Sequence, residues 1–263
     1  MKVLNLFDTE NKEYWLSEIE KGDWGAANYL YHLISNGTFE DMVGEDPQVL
    51  LLTEGDSLMA FCTYAKYDDI KDHSVSPWAG FVYTFPKYRG MRRAGKLLEH
   101  AYMLAKKDGY KELHISTDKT GLYEKYGFSF WKLMEDITGE QARIYKMDIV
   151  EMDYGSVIGK RVKGTIDRPL GSSHPDYPDM IYPINYGYVD GITGGDGEEQ
   201  DVYVFGTEEA TGAFEGEVIG VVHRLNDCED KWIVSINGEI PAKEEILSKI
   251  AFQEQFYMSE LYM

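Results

Sequence analysis

Arginine and glycine crowd one short stretch of the chain, between a predicted strand that ends at Pro86 and a predicted helix over residues 92–107. The first turn of a helix has unpaired N–H groups, and its dipole favours anions. Glycine lets the backbone come close to a ligand, and arginine adds charge-assisted hydrogen bonds to phosphate. The pattern therefore predicts a turn that binds a pyrophosphate, in the sequence Tyr88-Arg89-Gly90-Met91-Arg92-Arg93-Ala94-Gly95-Lys96-Leu97-Leu98.

A second group of reactive side chains is acidic and lies in the other half, at Asp196, Glu198, Asp201, Asp227 and Glu229. The first two are two positions apart, so an extended chain would place them on one face. Carboxylate oxygens suit hard divalent cations such as Mg²⁺, and paired metal ions can activate water against a phosphoryl group. Spacing alone leaves two hypotheses open: two solvated acidic turns, or two turns that meet and bind metal.

Composition limits the partners that the chain can have. The 263 residues allow two modest domains, and the net charge is −20. Residues 151–263 contain 22 acids and 8 bases, so the second half is the more acidic. Such a charge repels nucleic acid and anionic membranes. No apolar run approaches the ~20 residues of a membrane helix.

Targeting signals and cysteines point to a location. The N-terminus lacks a basic stretch followed by a long apolar core, so we predict no secretory signal. Cys62 and Cys228 lie in different halves, and they are expected to be thiols rather than a disulfide. The sequence predicts a cytoplasmic protein without nucleic-acid or membrane partners, and an oligomer is possible.

The elements that must position these residues fall into two groups. Up to about residue 149, helical periodicity alternates with strand-like runs, which predicts an α/β sheet with flanking helices. From residue 156 to 240 short strands are broken by Gly, Pro, Asp and Asn, which predicts a small β-barrel. Helical spacing returns at residues 242–257. We predict domains over residues 1–149 and 157–263, with a linker over residues 150–156.

The first half resembles the GNAT superfamily of acyl-CoA N-acyltransferases. Its core pattern is Arg/Gln-x-x-Gly-x-Gly/Ala, which Arg89 to Ala94 match at the first and last places, with Arg92 replacing the middle glycine. The family's tyrosine followed by Gly-Phe is found as Tyr123 and Gly127-Phe128. The resemblance implies a mixed sheet, acetyl-CoA as acyl donor, and a small-molecule amine or peptide as acceptor.

The same resemblance implies roles for individual residues. Tyr123 would protonate the departing CoA thiolate, because a phenol with a pKa of about 10 can protonate a thiolate of comparable basicity. No residue identifies itself as the base, and four candidates are Asp68, Asp69, His73 and Asp118. Backbone at Tyr83, Thr84 and Phe85 would pair with the pantetheine arm. The CoA pyrophosphate would be held by Arg89, Gly90, Met91, Arg92, Arg93, Ala94 and Gly95.

The second half resembles the soluble family I inorganic pyrophosphatases, whose fold is an OB-like barrel. The carrying sequences are Tyr182-Pro183-Ile184-Asn185-Tyr186-Gly187-Tyr188 and Asp196-Gly197-Glu198-Glu199-Gln200-Asp201. The resemblance implies Mg²⁺ and hydrolysis of pyrophosphate or a related diphosphate. The implied metal ligands are Asp196, Asp201, Asp227 and Glu229, with Glu198 activating the attacking water. The implied phosphate contacts are Tyr186, Lys231 and, in place of a missing lysine, Arg168.

Several departures from the pyrophosphatase pattern leave alternatives open. Glu198 and Glu229 each replace an aspartate, and Phe256-Tyr257 replaces a Tyr-Lys pair. Fewer cations weaken pyrophosphate binding and stabilisation of the leaving group. The first reading is therefore an acetyltransferase fused to a pyrophosphatase-like domain. In its rivals only one half is catalytic and the other is a CoA sensor or a diphosphate- or nucleotide-binding module, or the whole chain is an interaction scaffold.

Overall fold

The computed structural model describes residues 1–263, and the chain divides into two compact units, Met1–Val150 and Glu151–Met263. The first unit contains four α-helices and seven strands. The helices are α1 (Lys12–Glu20), α2 (Gly25–Ser35), α3 (Phe39–Val43) and α4 (Arg93–Lys107). The strands are β1 (Lys2–Asn5), β2 (Gln48–Glu54), β3 (Ser57–Ala65), β4 (Trp78–Thr84), β5 (Glu112–Thr117), β6 (Ser129–Glu135) and β7 (Gln141–Asp148).

The seven strands form one mixed sheet in the order β1-β2-β3-β4-β5-β7-β6. All neighbours are antiparallel except β4 and β5, which are parallel and share a single register pair, Trp78 with His114. Beyond that pair the two strands separate, so the sheet opens in its middle. Phe81 on β4 has a φ of +48°, and the pairing of β4 with β3 shifts register beside it. This bulge bends the strand at the opening.

Apolar periodicity fixes the helices on the sheet. Helix α4 buries Leu97, Leu98, Ala101 and Ala105 completely, which is the stripe expected for a helix with one face on the core. Helices α1 and α2 contribute Ile19, Ala27 and Leu30 to a separate core cluster with β2 and β3. These helices therefore hold the two connections that flank β4 in fixed positions.

The second unit contains six strands and one helix. They are β8 (Arg161–Arg168), β9 (Asn185–Thr193), β10 (Glu199–Phe205), β11 (Ala213–Arg224), β12 (Lys231–Ser235), α5 (Lys243–Glu254) and β13 (Ser259–Tyr262). Strands β8, β9, β10, β12 and β11 pair in that order, and β11 pairs back with β8, so five strands close a barrel. Strand β13 extends the sheet on β11.

Two buried clusters fill the barrel. One centres on Val202, Val204, Val218 and Val221, and the other packs Ile246 and Ile250 of α5 against the strands. Valine and isoleucine suit strand positions because branched side chains pack well on a pleated surface. The segment predicted as a linker contributes to the first cluster through Tyr154, which is 9% exposed.

The mixed sheet and the barrel agree with the sequence prediction, and the differences are local. Tyr123 lies on a short 3₁₀ turn, Tyr123–Tyr126, and not on a regular α-helix. The last helix ends at Glu254, three residues before its predicted end, because the chain returns as β13. None of the helices is both long and apolar enough to cross a membrane.

Candidate functional site

The turn between β4 and α4 is shaped by residues in left-handed conformations. Gly90 has a φ of +78°, and Arg92, the residue before the helix, has a φ of +52°. A β-carbon at Gly90 would meet no atom within 4 Å, so the turn is open on that side. No side chain caps the first turn of α4; the Gly95 amide donates to the Arg92 carbonyl, and the amides of Arg93 and Ala94 before it suit an anion.

The arginines of this turn are held by different partners. The Arg89 Nη2 atom lies 2.8 Å from Asp23 Oδ1, and its Nε donates to the Thr84 carbonyl at 3.0 Å. The Nε of Arg93 is buried without a hydrogen-bond partner, while its Nη1 atom contacts the sulfur of Met1. Arg89 is thus shared with the α1–α2 connection, whereas Arg93 keeps an unsatisfied donor.

A cavity of about 670 Å³ occupies the opening between β4 and β5 and extends to the turn. Strand residues form its inner end and the turn forms its outer end. Its lining residues are Asp23, Trp24, Ala79, Gly80, Phe81, Val82, Tyr83, Thr84, Tyr88, Arg89, Gly90, Arg92, Arg93, Ala94, Ile115, Ser116, Thr117, Asp118, Lys119, Leu122, Tyr123 and Tyr126.

Three of the ten predicted donor-binding residues lie outside this lining. Phe85 uses its amide to donate to the Met59 carbonyl at 3.0 Å, so that amide cannot pair with a ligand. Met91 is 55% exposed. A β-carbon at Gly95 would lie 2.9 Å from the ring of Tyr126, so this glycine allows close packing inside the unit. The other seven predicted residues line the cavity.

Tyr123 lies at the inner part of the cavity, on the 3₁₀ turn that precedes Gly127. It is 7% exposed, and its ring packs edge-on against Phe128 at a centroid distance of 6.2 Å. Burial is the main cause that raises the pKa of this phenol, and the nearby Cys62 and Asp68 add to it. The group therefore stays protonated at neutral pH, in the state that can donate a proton.

The connection after β3 brings two carboxyls to the inner end of the opening. A β-carbon at Gly80 would lie 3.1 Å from Asp68 Oδ2. Asp69 accepts a hydrogen bond from Ser116 on β5. Burial, then the charge of Asp69, raises the pKa of Asp68 to about 7. The two acids therefore face the two strands at the point where these separate.

The other two candidates for a base are His73, which lies outside the cavity lining, and Asp118, which lies within it but is paired with a lysine. The His73 ring stacks on Tyr67 at a centroid distance of 4.1 Å. Asp118 pairs with Lys119 at 2.8 Å, and its side chain is 81% exposed. The tertiary structure thus separates Asp68 and Asp69 from the remaining candidates, which the sequence could not do.

In the second unit, four of the predicted residues come together. Lys231, a buried residue, contacts the carboxylates of both Asp201 and Glu229 through its Nζ atom. The hydroxyl of Tyr186 donates to Asp201 Oδ2. Arg168 lies in the same region, since it hydrogen-bonds Tyr182, whose own pKa responds to Asp201.

The pKa values of the two carboxyls in this pair, Asp201 and Glu229, are shifted in opposite directions. Burial is the main cause that raises the pKa of Glu229 to about 7, and its hydrogen bond with Asp201 adds to it. Burial is the largest single effect on Asp201 and raises its pKa, but Lys231 and the hydrogen bonds from Glu229 and Tyr186 together lower the pKa of that carboxyl below its usual value. The lysine ammonium therefore stands where two carboxylates could share a cation.

The remaining predicted metal ligands do not join this cluster. Asp196 and Glu198 are exposed residues of a turn around Gly197, so the expected extended face is wrong; the Asp196 carboxylate accepts from the Glu198 amide at 3.0 Å. Asp227 pairs with Arg224 at 3.2 Å. The two acidic turns do meet, because a β-carbon at Gly195 would collide with the Cys228 carbonyl. No three His, Cys, Asp or Glu side chains are placed to bind one ion.

The sequence did not reveal that two further buried charged residues, Arg224 and Glu254, adjoin this cluster. Arg224 donates to both oxygens of Glu254, at 2.6 and 3.1 Å, and its guanidinium lies 3.6 Å from the ring centroid of Tyr257. Tyr203 donates to the same carboxylate at 2.7 Å. A sequence pattern that could have revealed this pair lies in α5. Glu254 follows Ile246 and Ile250 at helical spacing, which places it on the buried face of the helix.

Comparison with known proteins finds a similarity within the first unit. Residues 45–130 match the family described as acetyltransferase (GNAT) domain, and all matched residues lie in that unit. No curated protein matches the sequence. The matched residues include β2 to β5, the turn between β4 and α4, and Tyr123, and most of the cavity lining lies among them.

Solved structures of acetyltransferases are similar to the chain at low identity. An aminoglycoside 6'-acetyltransferase type Ii is 16% identical, with 58% of this chain and 100% of that chain covered and a TM-score of 0.44. A GNAT family acetyltransferase from Elizabethkingia anophelis with acetyl-CoA bound is 15% identical, with 56% of this chain and 97% of that chain covered and a TM-score of 0.38. The aminoglycoside 6'-N-acetyltransferase from Enterococcus faecium is 10% identical, with 58% of this chain and 99% of that chain covered and a TM-score of 0.43. Because each TM-score is below 0.5, these structures carry no argument, and the similarity to acetyltransferases rests on the family match over residues 45–130.

Proposed function

We propose that the protein transfers an acetyl group from acetyl-CoA to an amine of a small molecule or peptide, in the cavity of the first unit. The carrying observation is that one cavity connects an uncapped helix N-terminus and its arginines with a buried, protonated tyrosine. The acyl donor needs both features, since it is a diphosphate at one end and a thioester at the other.

The residues of the cavity fit this donor. Arg93 brings a buried donor atom without a partner, and Gly90 leaves room for a phosphate against the backbone. Strand β4 pairs with β5 at one position only, which leaves the edge of β4 beside the opening to an amide-containing arm, although the Thr84 carbonyl already accepts from Arg89. Arg89, Arg92 and Ala94 complete the lining around the diphosphate.

The chemistry is direct transfer. The acceptor nitrogen attacks the thioester carbonyl, the C–N bond forms and the C–S bond breaks. Tyr123 donates its phenolic proton to the leaving sulfur, as a positioned general acid does. Its burial excludes water from that side and keeps the proton in place until sulfur takes it.

Donor binding and transfer are tested separately. Calorimetry of the intact protein with acetyl-CoA should show binding that Arg93→Ala weakens, because the buried donor is lost. Lys107→Ala, at the other end of the same helix, is the matched control. Thiol release from acetyl-CoA across a panel of amines then measures transfer. Equal affinities for both variants and the wild type would contradict the proposed donor site, and absence of thiol release would contradict the activity.

For the barrel, the second candidate function is binding or hydrolysis of pyrophosphate. Tyr186, Asp201, Glu229 and Lys231 converge, which favours a polar ligand there. The predicted Mg²⁺ site does not fit these residues, since Lys231 neutralises two of the four ligands and Arg224 a third. We therefore assign no metal-dependent step to this unit.

Phosphate release decides between the readings of the barrel. Incubation with pyrophosphate and magnesium should release phosphate if the unit is a pyrophosphatase. Asp201→Asn should then abolish release, and Asp190→Asn, on the exposed end of β9, should not. Pyrophosphate binding without release would favour a ligand-binding module, and neither binding nor release would leave the cluster with a structural role.

A further inference from the structure

We propose that Asp68 is the general base of the transfer, accepting a proton from the acceptor nitrogen across one water molecule. The role rests on the proposed acetyl transfer. The sequence offered Asp68 only as one of four candidates, and no motif of the first unit includes it. The argument depends on where β4 and β5 separate and on what lies beneath that point.

The geometry begins with the strands. They pair only at Trp78 and His114, and two residues further along each strand are Gly80 and Ser116, which both line the cavity. The Asp68 carboxylate approaches Gly80, with its oxygens 3.1 and 3.2 Å from the place of a β-carbon there. Any larger residue at position 80 would contact this carboxylate. Asp68 therefore lies beside the innermost wall of the cavity.

The surroundings of Asp68 suit a base that works near neutral pH. No Lys, Arg or His forms an ion pair with it, and one oxygen accepts the Asp69 amide at 2.9 Å. The residue as a whole is half-buried, and its carboxylate lies beside Gly80, which lines the cavity, so the relaying water would stand in the cavity at Gly80. The titratable groups that face it are Asp69 from the same connection and Tyr123 from the 3₁₀ turn. Asp69 in turn faces Asp136.

Coupling to Tyr123 completes the proton balance. The charge of Asp68 raises the pKa of Tyr123, so the two groups sense each other. When the C–N bond forms, the nitrogen proton passes through water to the Asp68 carboxylate. When the C–S bond breaks, the phenolic proton passes to sulfur. Asp68 then returns its proton through water to the Tyr123 phenolate, and both groups regain their starting states.

The experiment is the pH profile of kcat for three intact proteins with one acceptor from the amine panel. The wild-type rate should rise through about pH 7. Asp68→Asn should lower kcat at pH 8 by about 100-fold and remove that rise. Asp72→Asn, at an exposed position of the same connection, is the control and should keep both the wild-type activity and the rise near pH 7. The acceptor's own ionisation is the same in all three.

Other results separate this role from the proposed function. Calorimetry of Asp68→Asn with acetyl-CoA should match the wild type, because the carboxyl is not part of the donor lining. If the wild type transfers acetyl groups and Asp68→Asn keeps the same profile, Asp68 is not the base and the transferase remains. If the wild type binds acetyl-CoA but transfers to no amine, the proposed function fails and this role fails with it.

Discussion

The two units both gather charged side chains at one end of a sheet, but they balance those charges differently. In the first, arginines surround an open cavity, Arg93 keeps an unsatisfied donor, and Asp68 has no cation partner. In the second, Lys231 and Arg224 are 2% exposed and neutralise the carboxylates around them. A buried group without a partner costs free energy, so it persists where a ligand supplies the missing partner.

The comparison teaches how similar residue types differ in purpose. Acidic and basic residues that pair with one another indicate a structural role before a catalytic one, since buried ion pairs lose much of their attraction to desolvation. Charges that remain unpaired around a cavity are evidence of binding. By this criterion the first unit is the stronger candidate for catalysis, and the barrel cluster is a candidate for stability as well as for ligand binding.

The largest expected effect tests the open site. Tyr123→Phe keeps the buried ring but removes the phenolic proton, and we expect kcat for acetyl transfer to fall about 100-fold or more. Calorimetry should show unchanged affinity for acetyl-CoA. Tyr126→Phe, a second tyrosine of the cavity, is the control and should keep near wild-type kcat. Wild-type kcat in Tyr123→Phe would remove the general acid from the proposal.

The next effect tests the self-neutralised cluster. Glu254→Gln removes the closest charge partner of the buried Arg224 guanidinium and leaves it the longer contact with Asp227, so we expect the barrel to lose about 3 kcal/mol of its free energy of unfolding. Hydrogen exchange at the β11 amides measures this unit separately. Glu208→Gln breaks a surface pair with Lys249 at 3.5 Å and should change stability by less than about 1 kcal/mol. Equal effects of the two variants would show that the buried pair is not structural.

A smaller effect depends on pH. The pKa of Glu229 rises to about 7 in the folded barrel from about 4.3 in an unfolded chain. The folded state therefore binds the extra proton, and its stability falls as pH rises between these values and is constant above about 7. Glu229→Gln should show a smaller fall in the calorimetric transition of the barrel from pH 5 to 8. Glu239→Gln, on an exposed turn, should show the wild-type fall.

The smallest effect concerns the shared arginine. Asp23 accepts from Arg89 and from the Tyr83 hydroxyl, at 2.8 and 2.6 Å, so it competes with a phosphate for the guanidinium. Asp23→Asn should tighten acetyl-CoA binding slightly, by about two-fold, because exposed ion pairs are weak. Calorimetry against Asp56→Asn, on the exposed β2–β3 turn, measures the difference. Weaker binding would show that Asp23 positions Arg89 rather than competing for it.

Local sequence signals were sufficient for much of the fold. The helix over residues 92–107, the α/β pattern of the first half and the short strands of the second half were all readable, because period and turn chemistry are local properties. The turn with Gly90 and Arg92 was found for the same reason. The sequence did not predict β13, which follows the last helical pattern, because β13 needs β11 as a partner to exist as a strand.

Tertiary structure decided which reactive residues act together. The sequence determined that carboxylates lie at residues 196–201 and 227–229, and that a basic turn precedes α4. It could not determine that Lys231 would stand between Asp201 and Glu229, or that Asp68 would lie beside Gly80 where β4 and β5 separate. Those relations join residues distant in sequence, and their charge states depend on burial and on neighbours that only the packed sheet and barrel supply.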